Sequence, residues 1–182
     1  MAALDAFARV GVTRERMGAV YGRLPSGVRG RRQLAELLRL VDVRVGSPGE
    51  SWTRLLVSDA LLPVPAPQVR VTSPGHRFLL DLGYRRFRVG IEYDGETYHA
   101  ADDYREHDLW RRARIRAAGW EVLVVRRSDL WSRPHEVVRS LLEILLVRGW
   151  RPTPRRLLEV ERRVRRLAVR ELRPWELDRI AG

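Results

Sequence analysis

Between Gln68 and Val125 the spacing of apolar residues changes period twice, and this order of periods is the strongest constraint on the fold. Three successive stretches alternate as strands do: Gln68 to Thr72, Phe78 to Leu82 and Phe87 to Asp94. Ser73-Pro74-Gly75 and Tyr84-Arg85-Arg86 supply the turns between them. A helical stretch follows from about Asp103 to Ala118, Gly119 closes it, and a fourth strand runs from Trp120 to Val125. Short turns imply an antiparallel meander, whereas a helical crossover between the third and fourth strands implies parallel pairing. The expectation is an α/β fold: a small mixed β-sheet flanked by helices.

Helices extend this unit on both sides. Residues 1–46 read as two or three short helices, with Thr13 capping one and Leu34, Leu37, Leu38 and Val41 spaced along another. A third begins at Ser47-Pro48-Gly49-Glu50, a capping box with proline at the first helical position. Its buried stripe is predicted to be Trp52, Leu55, Leu56, Ala60 and Leu61. Pro134 opens a further apolar helix. After Pro154 comes a last helix, with Leu157, Val160, Val164, Leu167, Ala168 and Leu172 on one face and arginines on the other. The sequence divides into a helical N-terminal extension (1–46), a central domain (47–150) and a basic C-terminal helix (151–182). The apolar stripe of the last helix can dock on the domain, on a second protomer in a homodimer, or on a protein partner.

The chain of 182 residues carries 35 basic against 23 acidic side chains, a net charge of +12. Every basic residue apart from histidine is arginine, and asparagine is absent too. The choice of arginine thus follows composition, while the excess of positive charge favours a polyanionic partner. Without cysteine there are no disulfides, thiolate zinc sites or cysteine nucleophiles. No apolar run reaches the ~18 residues of a membrane span, and Met1-Ala2-Ala3-Leu4-Asp5 does not begin a signal peptide, which makes the cytoplasm the default address.

Against this basic background three acids stand in apolar strands. Glu92 and Asp94 share one face of the third strand, while Asp81 interrupts the preceding strand, Phe78-Leu79-Leu80-Asp81-Leu82. Carboxylates converging on a sheet repel one another unless a cation compensates them. Asp81, Glu92 and Asp94 are therefore the candidate ligands of Mg2+ (or Mn2+), which takes hard oxygen donors and suits phosphodiester hydrolysis. The structural alternatives are that Asp94-Gly95 is only a turn and that Asp81 pairs with an arginine. His99, five residues beyond Asp94, is a candidate general base or water holder. Asp108 and Arg111 can pair at i, i+3 on the following helix and support the site. Glu50 has two readings, a helix cap or an acid beside the metal. Arg85, Arg86, Arg88 and Arg112, interleaved with aromatics such as Tyr98, Tyr104 and Trp110, are candidates for DNA binding. So are Arg155, Arg156, Arg162, Arg163 and Arg166 of the last helix. Trp110 and Trp120 are expected in the core.

Ser47-Pro48-Gly49-Glu50, Asp81, Glu92-Tyr93-Asp94-Gly95 with His99, Asp108-x-x-Arg111 and Gly119-Trp120 together resemble the PD-(D/E)XK nuclease superfamily. Within it they are most similar to the branch related to very-short-patch-repair endonucleases. The resemblance runs from about Ser47 to Gly149. It implies a restriction-endonuclease-like core and a magnesium or manganese site held by Asp81 and Glu92. It also implies Glu50 as the acid of the first helix. Asp94 stands where the superfamily name has lysine, as it does in that branch, and Asp94 or His99 must take over the lysine's work. The function implied is a metal-dependent DNA endonuclease. The alternatives are a DNA-binding regulator on a decayed nuclease fold, or a toxin–antitoxin partner.

Overall fold

The computed structural model describes residues 1–95 and 102–169, the side chains of 102–106 excepted. Its centre is a four-stranded sheet of β1 (Ala66–Ser73), β2 (His76–Tyr84), β3 (Val89–Asp94) and β4 (Glu121–Arg126), in that spatial order. The first two pairings are antiparallel and β3–β4 is parallel. The crossover between β3 and β4 contains α5 (Asp102–Ala117). The mixed sheet expected from the periods is thus present. Phe87 and Arg88 belong to the β2–β3 turn instead of β3, and Arg88 takes a positive φ of 52° there.

Before the sheet come α1 (Ala2–Arg9), α2 (Arg14–Arg23), α3 (Arg31–Leu40) and α4 (Pro48–Asp59). After it come α6 (Arg127–Ser132), α7 (Pro134–Val147) and α8 (Pro154–Val169). α6 has too few residues to show a period, so the sequence gives no sign of it. The Asp129 side chain accepts the Arg126 N–H at 3.0 Å and starts it.

Two apolar layers cover the sheet. On one face Leu82, Tyr84, Val89, Ile91 and Val125 pack with Val57 of α4, Val138, Leu141 and Leu145 of α7, and Val160 and Val164 of α8. On the other, Val69, Val71 and Leu80 pack with Ile115 of α5. A smaller cluster of Met17, Leu38 and Val41 joins the N-terminal helices.

The predicted stripe of α4 needs correction. Ser51, Thr53, Arg54 and Val57 are its most buried residues along with Ala60, whereas Trp52, Leu55, Leu56 and Leu61 are only partly covered. The reason is that α4 is enclosed from two sides, by the sheet and by α1. Asp5 of α1, itself buried, accepts the Ser51 hydroxyl at 2.6 Å and the Asp42 N–H at 3.0 Å. Arg54 lies nearby, and burial pulls its guanidinium below the ordinary value against the opposing charges of Asp5 and Asp42. A polar network, which no hydrophobic period announces, therefore joins the N-terminal helices to the sheet layer.

Candidate active site

The site starts from an irregularity in β2. Leu80 and Leu82 are two residues apart, yet they enter the cores on opposite faces of the sheet. Strict alternation would put both on one face. The strand changes face at Asp81, where pairing lapses on both sides. The β1–β2 register runs Pro67↔Leu82, then Val69↔Leu80, with Gln68 and Asp81 unbridged between them and Gln68 at a positive φ of 53°. The β2–β3 register ends at Leu82↔Ile91, one step before Asp81 would meet Glu92.

In place of a main-chain bond, the Asp81 carboxylate Oδ2 accepts the Tyr93 N–H at 2.9 Å. Asp81 is thereby fixed beside Glu92, with its Oδ1 accepting no hydrogen bond among the described residues. Glu92 extends towards α5, where Arg111 Nη1 donates to its Oε1 at 2.5 Å. Arg111 Nη2 also donates to the Leu79 carbonyl at 2.8 Å, so one guanidinium ties α5 to both β2 and β3. Burial pushes the Glu92 carboxyl above its ordinary range; the Arg111 charge pulls it back and the Asp81 charge adds to the rise. Two carboxylates thus stand close enough to feel each other, each with one oxygen held by the protein.

Glu50 joins from the other side. The Ser47 hydroxyl accepts the Glu50 N–H at 3.2 Å, as a cap should. The Glu50 carboxylate, however, accepts the Gly46 N–H at 2.8 Å, where a reciprocal capping box would use the Ser47 N–H. It also accepts Gln68 Nε2 at 3.3 Å. Gln68 stands at the register position across from Asp81, so the residue that donates to the buried Glu50 lies beside the carboxylate pair. Gln68 had no signal in the sequence beyond being polar within a strand. The start of α4 is pressed against β3, since a Cβ on Gly49 would lie 2.1 Å from Tyr93 Cε1.

The other predicted residues are distributed less compactly. Asp94 lies at the exposed end of β3, 3.9 Å from Arg126. Among the described residues no three acidic or histidine side chains gather as a metal cluster. His99 and Tyr98 lie outside the described residues, and nothing is described of the Tyr104 side chain. Asp108 pairs with Arg112 at 2.7 Å across one helical turn, and not with Arg111, which the half-buried Glu92 draws to itself. The Arg112 charge also acts on Glu92. Arg85, Arg86 and Arg88 leave from the opposite end of β3 and do not border the carboxylates, because the β2–β3 turn closes there. Arg155, Arg156, Arg162, Arg163 and Arg166 are on α8, which packs on the face opposite α5. Trp120 packs against the core as expected, but Trp110 is 37% exposed.

A mixed four-stranded β-sheet between helices, with two adjacent acids where its middle strands part, is an α/β architecture consistent with a restriction-endonuclease-like fold. Residues 66–145, from β1 into α7, match the model of REase_MTES_1575, a restriction-endonuclease-like family. This agrees with the resemblance to the PD-(D/E)XK superfamily without singling out the very-short-patch-repair branch. Two proteins of Mycobacterium tuberculosis are also similar: the uncharacterized protein Rv2248 of strain H37Rv and the uncharacterized protein MT2308 of strain CDC 1551. Each is 30% identical over 110 residues, which cover 58% of this chain and 41% of the relative. The chain therefore spans well under half the length of these relatives. No solved structure matches it significantly. Among the described residues no helix is long and apolar enough to cross a membrane.

Proposed function

We propose that the chain is a divalent-metal-dependent endonuclease that hydrolyses phosphodiester bonds of DNA. The observation carrying this reading is the adjacency of Asp81 and Glu92 where β2 and β3 diverge, in a chain of net charge +12. A binder of polyanions gains nothing from half-buried negative charge facing phosphate. The donor set fits magnesium or manganese: two carboxylates, each with an oxygen that no described residue engages, leave room for water and phosphate oxygens. A cation held there would neutralise the scissile phosphate and acidify a bound water.

The protein's own groups prepare this site. The Tyr93 N–H fixes one Asp81 oxygen, and Arg111 fixes one Glu92 oxygen while offsetting its charge. Gln68 and Glu50 steady the β1 side. Asp94 or His99 takes the water-activating role that lysine has in the superfamily.

Nicking of supercoiled plasmid in magnesium tests the reading. Asp81→Ala and Glu92→Gln are expected to abolish cleavage with little change in melting temperature, while DNA affinity in chelator holds or rises. Both Glu92 and Arg111 are partly exposed, and glutamine keeps an oxygen that can accept from Arg111, so little stability should be lost. Full cleavage by both variants would overturn the assignment.

A further inference from the structure

On the α5 side of the sheet, beside the carboxylates, lies an aromatic surface that the proposed chemistry does not use. The Trp110 ring meets His76 edge-on at 5.0 Å and Phe78 at 6.0 Å, and stacks on His107 at 5.5 Å. The Arg114 guanidinium lies 5.7 Å from its centroid. Part of this belongs to the fold, because Phe78 packs against the Ile115 core. Trp110 does not finish the job of a core residue: it stays 37% exposed, and Leu109, next to it in α5, is 67% exposed. An exposed tryptophan grouped with two histidines and an arginine leaves aromatic surface available to a ligand.

We propose that Trp110, flanked by His76, Phe78 and His107, is a stacking platform for an unpaired nucleobase of the DNA substrate. Charge supports this occupant. Arg114 has no carboxylate partner among the described residues, so its guanidinium lies over an indole that stays 37% exposed, and cation and ring together are the combination that holds a base and its phosphate. Position supports it as well. Phe78 precedes Asp81 by three residues in β2, roughly 10 Å at ~3.3 Å per residue. Arg111, next to Trp110 in α5, holds Glu92 and the Leu79 carbonyl. A base stacked on Trp110 would therefore lie within a few nucleotides of a phosphate held at the carboxylates. A base inside an intact duplex cannot offer its face to such a ring without leaving the stack. The substrate class is therefore DNA with unpaired nucleotides next to the cut. The link to cutting rests on the endonuclease reading; the stacking itself does not.

The test is binding of the full-length protein, in chelator, to a labelled single-stranded thymidine oligonucleotide and to a blunt duplex of the same length. Trp110→Ala is expected to weaken single-strand binding by about 5- to 150-fold, the loss of one stacked base. Duplex affinity and melting temperature should stay near wild type, and Trp110→Phe should retain most of the single-strand affinity. His76→Ala, at the exposed start of β2, should shift the same ratio in the same direction and replaces Trp110→Ala if that variant melts early. Unchanged single-strand affinity in these variants, or an equal loss on both DNAs, would overturn the platform. Because no metal is present, that failure would leave the nuclease reading standing, and the plasmid assay decides that reading separately.

Discussion

At the residue scale, Asp81 and Gln68 show how a local irregularity makes a site. Each forgoes a ladder position, and the Asp81 side chain uses the main-chain donor this releases, the Tyr93 N–H. Strain kept at such a place, here the positive φ of Gln68, is consistent with a functional role. Tyr93 couples the arrangement to α4 through Gly49, which only glycine can fill while the ring stays where it is. Gly49→Ala is expected to destabilise the protein by about 1–3 kcal/mol, the usual cost of overpacking a core. It should also lower magnesium-dependent cleavage, because a displaced Tyr93 moves the N–H that orients Asp81. Urea unfolding and the plasmid assay measure the two effects, and an unchanged unfolding midpoint would show that the ring yields freely.

At the element scale, the N-terminal helices are fastened to the site's own framework. Arg9 of α1 donates to the Gly46 carbonyl, and the Gly46 N–H donates to Glu50. Asp42 anchors the segment between α3 and α4, accepting from the Arg44 N–H at 3.0 Å and pairing with its guanidinium at 2.7 Å. Burial opposes ionisation of Asp42, but the Arg44 hydrogen bonds win and hold its carboxyl below the ordinary value. A carboxylate with a depressed folded pKa stabilises the protein above its unfolded pKa, near 3.9, and loses that contribution as pH falls through the folded pKa. Asp42→Asn should therefore melt lower than wild type at neutral pH, by up to about 1 kcal/mol given the exposure of Arg44. The gap should close as the pH drops below the ordinary aspartate range. A gap that stayed constant in thermal melts across this range would assign the loss to packing instead of charge.

For the whole molecule, α8 has two separate tasks. Val160 and Val164 complete the core beneath α7, while Arg155, Arg162 and Arg166 remain in solvent. Removing the helix would open the core, so its contribution to DNA binding is better read from charge alone. Replacing Arg155, Arg162 and Arg166 by glutamine should flatten the dependence of log affinity on log salt, by about 0.9 for each duplex phosphate no longer neutralised. Cleavage at saturating protein should barely change, since α8 and the carboxylates are on opposite faces of the sheet. A salt slope identical to wild type, measured by titration at several ionic strengths, would show that this face does not touch DNA.

Much of the architecture was legible from periods and punctuation. Alternation in three neighbouring stretches, a helical crossover and the Gly119 stop require a mixed sheet, because each is a local rule that holds wherever the chain goes. Asp81 and Glu92 stood out as charges within apolar strands for the same reason. The tertiary structure alone decided what depended on partners distant in sequence. It turned Arg111 from Asp108 to Glu92, bonded Gln68 to Glu50 across from Asp81, moved the Arg85–Arg88 turn away from the acids and left Trp110 partly exposed. A side chain's period reports which face of its own element it occupies. What covers that face depends on how the elements dock, and no local spacing encodes that.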